Sequence, residues 1–257
     1  MEYIDDAMTQ IAQINKQIAN YVDEYVRFMG IKHFPTYDLK FKKVSLPKAA
    51  SQGFDSLAST AYDVNAHKHT LCIATNLPLA KYVLFHEFTH MLDSEEHTDG
   101  NKNRYAGLFG YTEYHASQVE LMQLLGAKSI EDILSFSMNS VVHTLSGEKR
   151  ISQYVYEKQM HAIELFSRSD FPASIDTLKS AVGVLHNYWG LRSICEMYAA
   201  DFVETVDNSA FLKFIPTMHF SALNRLMHGW MDKTKIDLSI PVCYTILISL
   251  IQDFKLT

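Results

Sequence analysis

The sequence predicts an α+β fold that is mostly helical and has a small antiparallel or mixed sheet. Strand-like alternation of apolar and polar residues is confined to the first third of the chain, and helical periodicity dominates the remainder. Gly (10) and Pro (6) are scarce among the 257 residues, which argues against a turn-rich all-β fold. The hydrophobic content of 47% is enough for a substantial core.

The N-terminal third predicts one helix and three strands. Apolar residues recur every three or four positions from 4 to 29 and predict an amphipathic helix that ends at Gly30. Residues 38–46 alternate and predict a strand, and residues 61–65 and 69–75 predict a β-hairpin around a polar turn. The second hairpin strand is apolar enough to lie inside a sheet. If Leu71–Thr75 is instead an edge, it could pair with an extended substrate.

A central buried helix is expected over residues 77–94, because this segment is apolar nearly all round. Asn76 is a candidate N-cap, and Pro78 suits the first turn. The polar segment 94–110 contains three glycines and predicts a long surface loop with a functional role.

From Thr112 onward the pattern is helical almost to the end. Breaks are expected at the positions Gly126, Gly147, Phe171-Pro172, Gly190, Asn208, Pro216 and Lys233 to Lys235. The apolar run Leu238–Gln252 contains Pro241 and is too short to cross a bilayer comfortably, so it predicts a buried C-terminal helix.

Charge and cysteine usage exclude several classes of function. The net charge of -6 offers no general electrostatic reason to bind nucleic acid or an anionic membrane. Three scattered cysteines without a CxxC pair favour neither a disulfide scaffold nor a thiolate zinc site. The N-terminus MEYIDD lacks the features of a signal peptide. We therefore expect a soluble cytoplasmic protein with no nucleic-acid or membrane partner.

The chemistry of the chain is concentrated in an HExxH motif at residues 86–90. On a helix, His86 and His90 lie one turn apart on one face, where two imidazoles can bind one Zn2+ ion. Glu87 lies on the adjoining face and is placed to act as the general base toward a zinc-activated water. The motif therefore predicts hydrolysis at a catalytic zinc.

A catalytic zinc needs a third protein ligand, and Glu113 is the leading candidate. It follows the HExxH motif at a helix-compatible distance and is followed by a small residue one turn later, which allows close helix packing. Glu120 shares its face two turns along and is a second candidate. His97 and Glu196 remain weaker candidates, the first poorly spaced and the second remote in sequence.

The run TAYDVNAHKHTLCIATNLPLAKYVLFHEFTHMLD, followed by YTEYHASQVELMQLL, resembles the gluzincin-type zincin metallopeptidases. It looks most like the compact intracellular ImmA/IrrE-type peptidases, which cleave repressors. The resemblance covers roughly residues 58–125 and implies His86, His90 and Glu113 as zinc ligands and Glu87 as general base. Thr89 departs from the family, which often has Gly just before the second His.

We expect a zincin-like lobe over residues 1–125 with a helical lobe over 126–257 packed on it, or one continuous domain. A peptide or protein would be the substrate, and the helical half would shape the cleft or recognise a partner. The alternative is a non-catalytic regulatory or binding protein that keeps the scaffold with a structural zinc.

Supporting side chains are also expected around the metal. Asp93 could accept a hydrogen bond from the outer N–H of a ligand histidine. Tyr111, Tyr114 and His115 flank Glu113, and any of them could stabilise an oxyanion. A solvated helix face is the simplest interpretation of Glu157, His161 and Glu164.

Overall fold

A computed structural model describes residues 2–44, 57–204 and 209–256 of the chain. The fold is α+β and mostly α, as the sequence predicts. In chain order the described elements are α1 (Glu2–Met29), β1 (Tyr37–Lys42), β2 (Ala58–Asp63), β3 (Lys68–Ala74), α2 (Lys81–His97), α3 (Lys102–Leu124), β4 (Val141–Thr144), β5 (Gly147–Arg150), α4 (Ile151–Ser167), α5 (Ile175–Tyr198), α6 (Ser209–Leu212), α7 (Thr217–Leu226) and α8 (Lys233–Asp253).

The predicted N-terminal helix and the predicted hairpin are both confirmed. Helix α1 ends where Gly30 adopts a φ of 67°, which glycine reaches without steric cost. Strands β2 and β3 pair antiparallel, and β1 adds to the other side of β3 in parallel. The order β1-β3-β2 therefore places β3 in the centre of the described sheet and β2 at its edge. The strand predicted over 38–46 is seen as β1, and its last two residues lie outside the described residues.

Leu71–Thr75 is thus not an edge strand, so an extended substrate could not pair with it. Leu71 and Ile73 of β3 are fully buried. Their burial follows from the sheet order, because β3 has a strand on each side and its apolar side chains join the core.

The HExxH helix α2 begins later than the sequence predicts, and Asn76 does not cap it. Its N-cap position is Ala80, which has no side-chain cap. The Asn76 side chain instead accepts a hydrogen bond from the Val44 N–H at 3.0 Å and donates one to the Val44 carbonyl at 2.7 Å. Asn76 is therefore used to satisfy backbone groups just beyond β1 rather than at the helix start.

The predicted loop over 94–110 is wrong, because residues 98–101 alone separate α2 from α3. Asn101 caps α3 by accepting hydrogen bonds from the N–H groups of Asn103 and Arg104. Two of the three glycines in this segment, Gly107 and Gly110, lie inside α3 and allow close packing, whereas Gly100 lies in the turn with a φ of 65°. A Cβ at Gly107, for example, would lie 2.4 Å from the carbonyl oxygen of Ile240.

The prediction of a break at Gly190 is wrong for the same reason. Gly190 lies inside α5, where a Cβ would come within 2.2 Å of the Tyr114 carbonyl oxygen. Helices α3 and α5 therefore meet at backbone distance, and α3 also packs against α2 and α8.

The C-terminal half contains a hairpin that the sequence analysis missed, so strands are not confined to the first third. Strands β4 and β5 are only four residues each and pair antiparallel around Gly147, whose φ is 106°. Most of their residues are exposed, so they lack a clear apolar alternation. The predicted breaks at Gly126, Pro172, Pro216 and 233–235 fall at helix ends, and Asn208 lies outside the described residues.

One hydrophobic cluster joins the two halves of the chain. It contains Phe85 and Phe88 of α2 together with Trp189 of α5 and Phe211 of α6. The core therefore continues across residue 126, the boundary that the sequence predicts between two lobes.

The C-terminal helix α8 is longer than the apolar run suggests, with 21 residues and Pro241 inside it. By length and composition it is the one helix of the described residues that could cross a membrane, and 39% of its apolar window is buried in the protein. Its inward face includes Ile240, Ile246 and Leu250, so the predicted burial holds for that face only, and Leu238 is 55% exposed. This packing is compatible with a soluble protein.

Candidate metal centre

Helix α2 presents the HExxH side chains on a face distinct from its core face. His86 and Glu87 are buried, and the His86 and His90 rings lie 4.8 Å apart at an angle of 79°. Thr89 points elsewhere and accepts a hydrogen bond from the Tyr25 hydroxyl of α1 at 3.0 Å. The helical period thus separates a stripe of candidate ligands from a stripe that contacts α1.

Glu113 of α3 completes a group of three possible ligands. Its Oε2 lies 3.8 Å from His86 Nε2 and 3.7 Å from His90 Nε2. The three ligand atoms all fall within 4.8 Å of one another. Two ligands of one tetrahedral zinc ion lie roughly 3.3–3.6 Å apart, since each is about 2.0–2.2 Å from the metal. The two carboxylate–imidazole separations are a few tenths of an ångström longer, and all three ligand atoms lie within 4.8 Å of one another, so the side chains present fit such an ion after they move closer together.

The short α2–α3 connection explains why Glu113 reaches the histidines. Contacts between the helices run from His97 with Tyr111, through His90 with Thr112, to His86 with Glu120. The contacting residue numbers fall along α2 while they rise along α3, so the two helices are antiparallel. Glu113 therefore arrives level with the motif, between His86 and His90.

Glu120, the second candidate ligand, lies on the other side of His86. Its Oε2 is 2.9 Å from His86 Nδ1, and the residue is fully buried. It therefore contacts the ring nitrogen that faces away from Glu113 rather than joining the three convergent atoms.

The other two candidate ligands also have partners behind them. His90 Nδ1 lies 2.9 Å from the Thr112 hydroxyl, and the amide of Asn187 on α5 faces the Glu113 carboxylate and helps to lower its pKa. Ser117 donates a hydrogen bond to Asn187 Oδ1 at 2.8 Å, which leaves the amide nitrogen to face Glu113. Partners of this kind orient ligands in metal sites.

The charges of the site favour a cation. Burial would raise the pKa of Glu113, but the neighbouring His90 and His86 lower it to about 2. Burial lowers the pKa of His90 to about 4. Burial also acts to lower the pKa of His86, but Glu113 and Glu120 raise it to about 10. Without a metal, the carboxylates therefore keep His86 in its charged, doubly protonated form at neutral pH. A bound metal ion would replace one of the two ring protons.

Glu87 lies beside the three ligands and is held by the edge strand. The Thr60 hydroxyl of β2 donates a hydrogen bond to Glu87 Oε2 at 3.1 Å. Both residues line a cleft of about 620 Å³ that also contains His86, His90 and Glu113. The general base expected from the motif is thus oriented toward the space in which a substrate would bind.

The opposite wall of this cleft comes from the C-terminal half of the chain. Helix α4 contributes Lys158, His161 and Leu165, and α5 contributes Val184 and Asn187. His161, expected on a solvated helix face, therefore lies in the cleft wall. Of the two roles expected for the helical half, the structure shows the first, shaping the cleft.

The weaker candidate ligands lie apart from the centre. His97 packs against Tyr111, and Glu196 pairs with His228. Neither belongs to the group of convergent ligand atoms found among the described residues.

The supporting roles expected for Asp93 and the residues flanking Glu113 are not seen. Asp93 Oδ1 pairs with His115 Nδ1 at 2.9 Å rather than with a ligand histidine. Tyr111 stacks on His115, and the Tyr114 hydroxyl donates to the Gly229 carbonyl. None of these three side chains next to Glu113 lines the cleft.

Three residues of the site were not found from the sequence. Thr112 could have been noticed, because it directly precedes Glu113 in the sequence. Thr60 and Asn187 carry no motif and lie far from HExxH along the chain, so only the packing of β2 and α5 reveals them.

Comparison of the chain with protein-family models, with curated proteins and with solved structures found no match.

Proposed function

We propose that this protein is a zinc-dependent metallopeptidase of the gluzincin type. The observation that carries the proposal is the convergence of His86, His90 and Glu113 within 4.8 Å, beside a general base in an open cleft. Two imidazoles and one carboxylate are a common ligand set of catalytic zinc in peptidases. The partners behind each ligand support the same conclusion.

The side chains around the cleft suit peptide-bond hydrolysis. A bound zinc ion would polarise the scissile carbonyl and make a water molecule more acidic. Glu87 accepts the proton of the attacking water and passes it to the leaving amine. Thr60 keeps the Glu87 carboxylate oriented throughout, because its hydroxyl holds Oε2.

The substrate we propose is an extended peptide or a protein segment. Strand β2 is the edge of the described sheet and lines the cleft with residues 59–62. An edge strand offers backbone N–H and C=O groups to a second extended chain. The proposed location is the cytoplasm, as the resemblance to ImmA/IrrE-type peptidases implies.

The alternative, a regulatory protein with a structural zinc, predicts a closed site with four protein ligands. Among the described residues only three ligands converge, and they border a cleft that could admit a water and a substrate. This arrangement favours the enzyme.

Two variants test two parts of the proposal separately, the general base and the zinc ligand. Glu87→Gln should keep its zinc and lose hydrolysis of a peptide library, because the amide cannot accept the proton. Glu113→Ala should lose zinc, as measured by elemental analysis, because one of three ligands is gone. Glu148→Ala, which removes an exposed carboxylate that does not line the cleft, serves as the control.

Normal turnover by Glu87→Gln would exclude the mechanism. Unchanged zinc content in Glu113→Ala would remove Glu113 from the ligand set.

A further inference from the structure

The buried carboxylate of Glu120 has a hydrogen-bond partner on each oxygen. Oε2 is paired with His86 Nδ1 at 2.9 Å, and Oε1 accepts a hydrogen bond from the Tyr154 hydroxyl. Glu120 is 0% exposed and Tyr154 is buried. A buried carboxylate is costly unless such partners compensate it, so this arrangement needs a reason beyond packing.

The contact with Glu120 determines how His86 faces the candidate metal position. With Nδ1 donating to Glu120, Nε2 of His86 points to the side where Glu113 lies, 3.8 Å away. A carboxylate behind a ligand histidine fixes the ring orientation and makes the imidazole a stronger donor to the metal.

Tyr154 brings the C-terminal half of the chain into this arrangement. It comes from α4, and its hydroxyl holds the oxygen of Glu120 that His86 does not use. Neither Glu120 nor Tyr154 lines the cleft, so neither can touch a substrate there. Their contact with the site runs through the hydrogen bond between Glu120 and His86.

We propose that Tyr154 and Glu120 are positioning residues, forming a relay from α4 that orients His86 and raises the affinity of the site for zinc. This inference rests on the proposed function, because it assumes that His86 is a zinc ligand. It adds that zinc affinity depends on a residue 64 positions after the HExxH motif, in the other half of the chain.

His90 provides an internal comparison. Its Nδ1 partner is Thr112, a neutral hydroxyl of α3 next to Glu113, whereas the partner of His86 Nδ1 is a carboxylate. A hydrogen bond to a charged group is roughly twice as strong as one between neutral groups. We therefore expect zinc affinity to depend more on Glu120 than on Thr112.

The test is the zinc affinity of the full-length chain, measured by competition with a chromophoric chelator. Glu120→Gln should bind zinc about 10–100-fold more weakly, the range usual for partners behind metal ligands. Tyr154→Phe, which removes only the hydroxyl, should weaken binding in the same direction by several-fold. Thr112→Val is the matched control on His90 and should have a smaller effect than Glu120→Gln.

A second readout separates positioning from a merely structural role. The visible spectrum of the Co2+-substituted protein reports ligand geometry, and it should shift in Tyr154→Phe while the unfolding temperature of the metal-free protein stays within a few degrees. If Glu120→Gln does not fold, Tyr154→Phe decides the question by itself.

The outcomes distinguish the two proposals. Wild-type zinc affinity and an unshifted cobalt spectrum in Tyr154→Phe would overturn the relay and leave the metallopeptidase in place. A wild-type protein that binds no zinc, or a His86→Ala variant that binds it as well as wild type, would overturn the proposed function itself.

Discussion

Replacing Gly190 with alanine tests whether the close approach of α5 to α3 supports the candidate metal centre. A Cβ at this position would lie 2.2 Å from the Tyr114 carbonyl oxygen and 2.9 Å from the Ser117 Cβ. Real Cβ contacts are essentially never shorter than 3.0 Å, so the helices must separate by about 0.8 Å, from 2.2 to 3.0 Å. The nearest obstacle is a backbone atom of a packed helix, which cannot rotate away as a side chain can.

The expected cost follows from this overlap. Overpacking a core usually costs about 1–3 kcal/mol, and we take the upper end because backbone opposes backbone. Alanine recovers about 1 kcal/mol of helix propensity, which leaves a net loss of roughly 2 kcal/mol. For a chain of this size that corresponds to a melting temperature lower by roughly 4–8 °C.

The same shift should weaken zinc binding, because Glu113 directly precedes Tyr114 and Asn187 lies one turn before Gly190. Gly183→Ala is the matched control for stability only: its Cβ would meet the tip of the Phe109 ring at 3.0 Å, and that ring lines the cleft and can move, but the Cβ would also lie 3.4 Å from Glu113 Oε1. We expect its stability to remain within about 1 kcal/mol of wild type. Calorimetry and chelator competition measure both effects. A Gly190→Ala protein as stable as wild type would refute the reasoning.

Three further predictions concern pH and the general base. Zinc affinity should rise about tenfold per pH unit from pH 6 to 8, because binding expels the proton held on His86, whose pKa is about 10; chelator competition that gives a pH-independent affinity would contradict this. Burial lowers the pKa of His186 to about 4, below its unfolded value of 6.5, so its contribution to stability is present above pH 6.5 and is lost as pH falls toward 4. Urea unfolding of the metal-free protein at pH 7 and pH 4.5 should therefore show wild type losing about 2–3 kcal/mol more than His186→Leu; equal losses would exclude His186. Thr60→Val should keep its zinc but hydrolyse peptides about tenfold more slowly, since Glu87 loses a hydrogen bond to a charged oxygen; an unchanged rate would show that Thr60 does not orient the base.

Local patterns predicted the elements whose residues interact within a few positions. The helix that carries HExxH, the hairpin before it and the helix ended by Gly30 all follow from periodicity and turn residues. The β4–β5 hairpin was missed because its strands are four residues long and mostly exposed. Neither the helical nor the strand periodicity of apolar residues is therefore visible in them.

Glycine was the most misleading residue type in this chain. Gly107 and Gly190 suggested a loop and a helix break, yet both lie inside helices that touch at backbone distance. A glycine that permits close packing and a glycine that ends a helix look alike in sequence, because the neighbour that decides between them is remote along the chain.

The sequence by itself determined how the side chains of the motif are placed on their helix. The helical repeat places His86 and His90 on one face and Glu87 beside them, whatever surrounds the helix. It could not decide between Glu113 and Glu120, because seven residues bring both to the same face of α3, about 10.5 Å apart along its axis. Only the antiparallel packing of α3 on α2 decided that Glu113 meets the Nε2 atoms while Glu120 meets Nδ1 of His86. The offset of two packed helices along their axes depends on the side chains and glycines at their contact, and these residues lie far apart in the sequence.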